Sequence, residues 1–161
     1  MKFSTIVEIA PPGFLIEPLE ELLFVGSCFA DSIGRRFAEE HFPVTVNPYG
    51  VMYNPASLLH TVQRTEASPR VAFLTLGTNH VYRLRETGEI VDNCQKRPQQ
   101  LFQEESLSVE ACLDYLSQAV DVLVRRRADV HVVVTVSPIR YAKYGFHGSQ
   151  LSKAVLLLAA E

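Results

Sequence analysis

Phe24-Val25-Gly26-Ser27-Cys28-Phe29-Ala30-Asp31 is the stretch on which the fold of this 161-residue chain turns. Leu22 to Val25 is short and apolar, bounded by Glu20-Glu21 and Gly26, and predicts a buried strand. Phe29, Ile33 and Phe37 then recur every four residues, with Asp31, Arg35, Arg36, Glu39 and Glu40 directed elsewhere. That spacing predicts an amphipathic helix ending near His41, with Pro43 beyond it. A hydroxyl and a thiol therefore stand at the carboxyl end of a strand and the amino end of a helix. Orphan N–H groups and the helix dipole there favour a thiolate or a developing oxyanion. An open α/β sheet carries its active site at such a corner. The alternative is a tight turn with an N-cap serine and a buried cysteine.

Outward from this corner, strands and helices alternate. Val44-Thr45-Val46 reads as a second strand, entering the turn Asn47-Pro48-Tyr49-Gly50. Pro55 suits the first turn of a helix running to Arg64. Val71 to Leu76 is the third core strand, and Val81 to Val91, around Glu86-Thr87-Gly88, suggests a β-hairpin excursion. Val109, Cys112, Leu116, Ala119 and Leu123 mark one face of a long helix capped by Ser106 or Ser108. The β-branched run Val132 to Val136 is the fourth core strand, and a last helix begins between Gly148 and Gln150. This alternation predicts a mostly parallel sheet covered on both faces.

Composition fits one globular domain over residues 1–161, with 47% hydrophobic and 20% charged residues. With a net charge of −3 and no basic run beyond Arg125-Arg126-Arg127, no nucleic-acid surface is expected. That arginine run suits a helix C-terminus. Cys28, Cys94 and Cys112 have no metal-ligand spacing, and reduced thiols in a cytoplasmic protein are the simplest account. The start, Met1 to Thr5, lacks a signal-peptide pattern, and the apolar run Ala154 to Ala160 is too short to span a bilayer. No membrane association, metal or cofactor is therefore expected.

Gly26-Ser27-Cys28-Phe29-Ala30 resembles the signature of the GSCFA family, a bacterial group similar to SGNH esterase-like hydrolases. Further segments resemble that family in its order. They are 47–55, Thr75-Leu76-Gly77-Thr78, Asn93-Cys94-Gln95-Lys96-Arg97-Pro98, Ser137-Pro138-Ile139-Arg140, and Leu151-Ser152-Lys153-Ala154. The resemblance implies a three-layer α/β/α flavodoxin-like domain, and a hydrolase or esterase working by acyl transfer on a small-molecule ester. Family members generally continue beyond the point where this chain ends. The expectation is thus an apparently truncated fold, whose fourth strand is an edge open to a partner chain or a C-terminal segment.

The SGNH pattern carries Gly-Asp-Ser after its first strand. Aligning its glycine with Gly26 makes Cys28 the nucleophile; a one-residue adjustment makes it Ser27. Gly50, by its backbone N–H, and Asn79, in Gly77-Thr78-Asn79, stand where the pattern has oxyanion donors. Asn93 falls in the segment in which Gln95 replaces the family's usual histidine, and Arg140 either holds an anionic group or braces its loop. The pattern's Asp-x-x-His is absent, leaving His80 and His147 as alternative bases. His41, His60 and His131 fit helix or strand positions. A non-catalytic binding module or pseudoenzyme fragment is the competing reading. A nucleotide or flavin binder is a third, disfavoured because the turn lacks a glycine-rich phosphate loop.

Overall fold

The structure is a computed structural model describing residues 10–92, 94 and 97–161. Its centre is a parallel sheet of β1 (Leu22–Gly26), β2 (Val44–Val46), β3 (Val71–Leu76) and β7 (His131–Val136). The strand order is β2-β1-β3-β7, so β7 is an edge. Register sets Gly26 opposite Thr75, and Thr75 opposite Thr135. Three carboxyl ends therefore meet on one rim.

Side-chain alternation divides the core in two. Leu22, Phe24 and Val71 pack against Ala30, Ile33 and Phe37 of α1 (Cys28–Glu39), with Phe14 and Ile16 joining from the preceding segment. Phe24 and Phe73 stack at 4.4 Å on this face. Leu23, Val25, Ala72, Leu74 and Leu76 face α2 (Pro55–Arg64), α3 (Val109–Arg126) and α4 (Gly145–Ala160). The result is the expected three-layer, flavodoxin-like α/β arrangement. Burying each large aliphatic side chain in such a core stabilises the fold by about 1.5–3 kcal/mol.

The helices begin where their caps direct. Ser27, Asn54 and Ser108 each accept a backbone N–H at the start of α1, α2 and α3. Ser108, and not Ser106, therefore caps α3. Helix α4 starts at Gly145, a few residues before the expected position. Gly145 has a φ of 62°, which lets the chain leave the Ala142–Tyr144 turn directly into the helix.

The excursion after β3 is larger than a hairpin. Strand β4 (His80–Leu84) pairs with β5 (Ile90–Val91) on one side and with β6 (Phe102–Ser106) on the other, both antiparallel. Strand β6 is polar, and its glutamates find cations across the ladder: Arg83 Nε lies 2.6 Å from Glu105. Glu104 accepts from Tyr144 at 2.8 Å, Lys143 at 2.8 Å and Tyr82 at 3.1 Å. His80 stacks on the Tyr144 ring at 3.9 Å. This small sheet thereby grips the loop that follows β7. No helix among the described residues is long and apolar enough to cross a membrane.

Candidate active site

The turn after β1 is held from both neighbouring strands. Gly26 has a φ of 137°, a left-handed backbone that favours glycine, and a Cβ there would lie 2.1 Å from the Thr75 carbonyl oxygen. Its N–H donates to Asn47 Oδ1 at 2.8 Å, and its carbonyl accepts from the Met52 N–H at 2.9 Å. The Ser27 N–H donates to the Thr75 carbonyl at 3.0 Å and to Thr75 Oγ1 at 2.8 Å. Asn47 itself adopts a positive φ of 39°, and its N–H donates to the Phe24 carbonyl at 2.8 Å. A short-chain amide tolerates that conformation.

Ser27 and Cys28 then part company. Ser27 is 3% exposed; its Oγ lies 3.0 Å from Thr75 Oγ1 and accepts the Phe29 N–H at 3.3 Å. It is an N-cap serine in a saturated pocket of hydrogen bonds. Cys28, the first residue of α1, is exposed. It opens on a cleft of about 610 Å3 lined also by Ser27 at its base and by Phe29, Ser32, Tyr53, Ile139 and Tyr141. The wall is largely apolar, and no histidine, carboxylate or lysine lines it among the described residues.

A second, more polar cleft of about 300 Å3 adjoins it, sharing Tyr53 and Tyr141 and adding His80, Asp92 and Tyr144. The two shared rings meet edge to face at 6.1 Å. Behind them lies Lys153, 7% exposed, whose Nζ donates to the Gly77 carbonyl and sits 5.0 Å from the centre of the Tyr141 ring. Burial pushes its ammonium below the usual lysine range. Burial also raises the Tyr141 phenol, helped by Tyr53 and by Cys28.

The other residues singled out in the sequence are dispersed. The Gly50 N–H donates to the Asn47 carbonyl at 2.8 Å, closing the turn, and Gly50 does not line the Cys28 cleft. The Asn79 amide donates to the Leu107 carbonyl at 2.7 Å, and its N–H donates to Ser152 Oγ at 3.1 Å. Both expected oxyanion donors therefore make hydrogen bonds to neighbouring backbone or helix groups. Arg140 is exposed, with its guanidinium 5.2 Å from the Phe146 ring. His80 lines the second cleft, its Nδ1 3.1 Å from Ser106 Oγ, and His147 is exposed on α4. Neither lines the cleft of Cys28. Asn93 and Gln95 lie outside the described residues.

Sequence reasoning assigns no role to three residues of this corner: Asn47 as the clamp on Gly26, and Tyr141 with Lys153 beneath it. The lysine gave a signal, a lone cation inside the apolar run from Leu151 to Ala160. The comparison with protein families decides the affiliation, for the GSCFA family model matches residues 21–72 and 59–161. The chain belongs to the GSCFA family. No curated protein and no solved structure matches it. Within this GSCFA chain, the family's namesake residues are the turn just described, with Cys28 and Phe29 as its exposed members.

Proposed function

We propose that this GSCFA protein is an SGNH-like hydrolase that accepts the acyl group of a small ester on Cys28. The observation that carries the reading is an exposed thiol at a strand-to-helix corner, opening on an apolar cleft large enough for an acyl chain. The Cys28 thiol releases its proton to solvent, and Sγ bonds to the carbonyl carbon. The C–O bond then breaks, and the leaving oxygen takes a proton from water. Hydrolysis of the thioester frees the acid and restores the thiol. Without a histidine in the cleft, the leaving group is not protonated by the protein, so activated esters with weakly basic leaving groups react fastest. A missing general base of this kind lowers turnover by about 10²–10⁴.

Ser27 as nucleophile is disfavoured by its burial and its engagement with Thr75. Hydrolysis of short nitrophenyl esters by the unmodified chain and by Cys28→Ala and Ser27→Ala variants tests the reading. Activity lost with Cys28→Ala and retained with Ser27→Ala is the expected result; the reverse assigns the reaction to Ser27. A second reading, a binding module that keeps the cleft without the chemistry, is favoured by the absence of a histidine, carboxylate or lysine on the cleft wall among the described residues. It predicts ester binding without turnover, and no change on removing the thiol.

A further inference from the structure

Tyr141 is restrained on every side except at its hydroxyl. Its N–H donates to Ser149 Oγ at 3.2 Å, and the same Oγ donates back to the Tyr141 carbonyl at 3.3 Å. The ring meets Tyr53 and Tyr144 edge to face, at 6.1 and 6.3 Å, and Lys153 covers it at 5.0 Å. The hydroxyl lies against Gly77, where a Cβ would come within 2.4 Å of it. No group among the described residues accepts from or donates to that hydroxyl. A buried or half-buried phenol normally finds a hydrogen-bond partner. The Tyr141 hydroxyl is open to the cleft on the wall it shares with Cys28, where a bound ligand can take the place of water as its partner.

We infer that the Tyr141 hydroxyl donates a hydrogen bond to the oxyanion formed when Cys28 is acylated, and that Gly77 and Lys153 position it. The inference rests on the Cys28 reading above and names the donor that reading lacks, since Gly50 and Asn79 are engaged elsewhere. When Sγ adds to the ester carbonyl, the C=O electron pair moves to oxygen, and the phenol O–H meets that charge. The charge returns to the carbonyl as the leaving group departs, so Tyr141 ends with its proton. The amino end of α1, whose Phe29 N–H is capped by Ser27 Oγ, adds the positive end of the helix dipole on the same side. The raised phenol pKa keeps the hydroxyl protonated through neutral pH, as a donor requires. Lys153 acts through Gly77 and the ring, and is a positioning residue.

Two reactions of the same thiol separate this role from a structural one. Acylation by p-nitrophenyl acetate passes through an oxyanion; alkylation by iodoacetamide displaces iodide at a saturated carbon and does not. Tyr141→Phe removes one oxygen and is expected to slow acylation of Cys28 by about 100-fold, with alkylation changed less than about two-fold. Gly77→Ala keeps the phenol but displaces its hydroxyl, and is expected to give the same selective loss, which guards against a misfolded phenylalanine variant. Equal acylation rates in Tyr141→Phe and the unmodified chain overturn the inference, as does an equal loss in both reactions. Absence of Cys28 acylation in the unmodified chain, with normal alkylation, overturns the hydrolase reading itself and the inference with it.

Discussion

The hydroxyls of Ser27 and Thr75 lie 3.0 Å apart, and that pairing holds the buried serine at the base of the cleft while the next residue, Cys28, is exposed on it. Thr75 also holds the Ser27 N–H through both its carbonyl and its Oγ1. The serine is thus part of the frame that presents the thiol. Ser27→Ala removes a helix cap and one hydroxyl pair, and is expected to cost about 1 kcal/mol. Urea unfolding measures that loss, and the variant is expected to retain its ester reactivity.

Gly26 allows no substitute. At a φ of 137°, with the Thr75 carbonyl 2.1 Å from the position of a Cβ, both backbone strain and collision oppose alanine. Neither the carbonyl nor its strand can withdraw without breaking the β1–β3 ladder. Gly26→Ala is expected to destabilise the fold by roughly 3 kcal/mol or more, read as a lowered urea midpoint or loss of soluble protein.

The three thiols differ in access. Cys28 is exposed, Cys94 is half-buried with its pKa raised by burial, and Cys112 is buried with its thiol pushed up to about 11. At pH 7 only about one Cys112 in 10⁴ is a thiolate, before any loss of access is counted. Timed alkylation followed by peptide mapping is expected to give the order Cys28, Cys94, Cys112.

His60 and Asp92 tie α2 to the end of β5 through a 2.7 Å contact from Nδ1 to the carboxylate. That hydrogen bond raises the His60 pKa, against the opposing effects of burial and Arg64. A raised folded-state pKa means that the contribution is fully present below the unfolded value of about 6.5. It fades as pH rises through the folded value. The Tm of the unmodified chain is therefore expected to fall across this window relative to that of Asp92→Asn. Parallel Tm-against-pH curves for the two would show that the pair contributes nothing.

Glu104 accepts from Tyr82, Lys143 and Tyr144, and so joins the small antiparallel sheet to the loop that carries Tyr141. The group is partly exposed, which limits its worth to about 1 kcal/mol. Glu104→Ala is expected to speed amide hydrogen exchange at 141–145 while leaving α3 unchanged.

Local signals made most of the fold legible. The β-branched and apolar runs at Leu22–Val25, Val71–Leu76 and Val132–Val136 have few conformational alternatives, and Pro55 marks a helix start by its fixed φ. Strand β6 was not legible, because Gln103-Glu104-Glu105 has no apolar alternation; cross-strand cations and tyrosines stabilise it instead. The site was half legible. Cys28 stood out from its turn, but Tyr141 lies more than a hundred residues away and reaches it only through the β1-β3-β7 order. Gly50 and Asn79 matched a pattern in sequence, yet local acceptors at Asn47 and Leu107 engage their donors. A motif fixes residue types, and the geometry of the nearest hydrogen-bond partner fixes where they point.

The most direct test is a peptide map of the unmodified chain after brief exposure to a small activated ester at neutral pH. The account predicts an acyl group on Cys28, formed well before any on Cys94 or Cys112 and lost again as the free acid accumulates. An unacylated Cys28 in folded protein, or acyl groups spread evenly over the three cysteines, would contradict it.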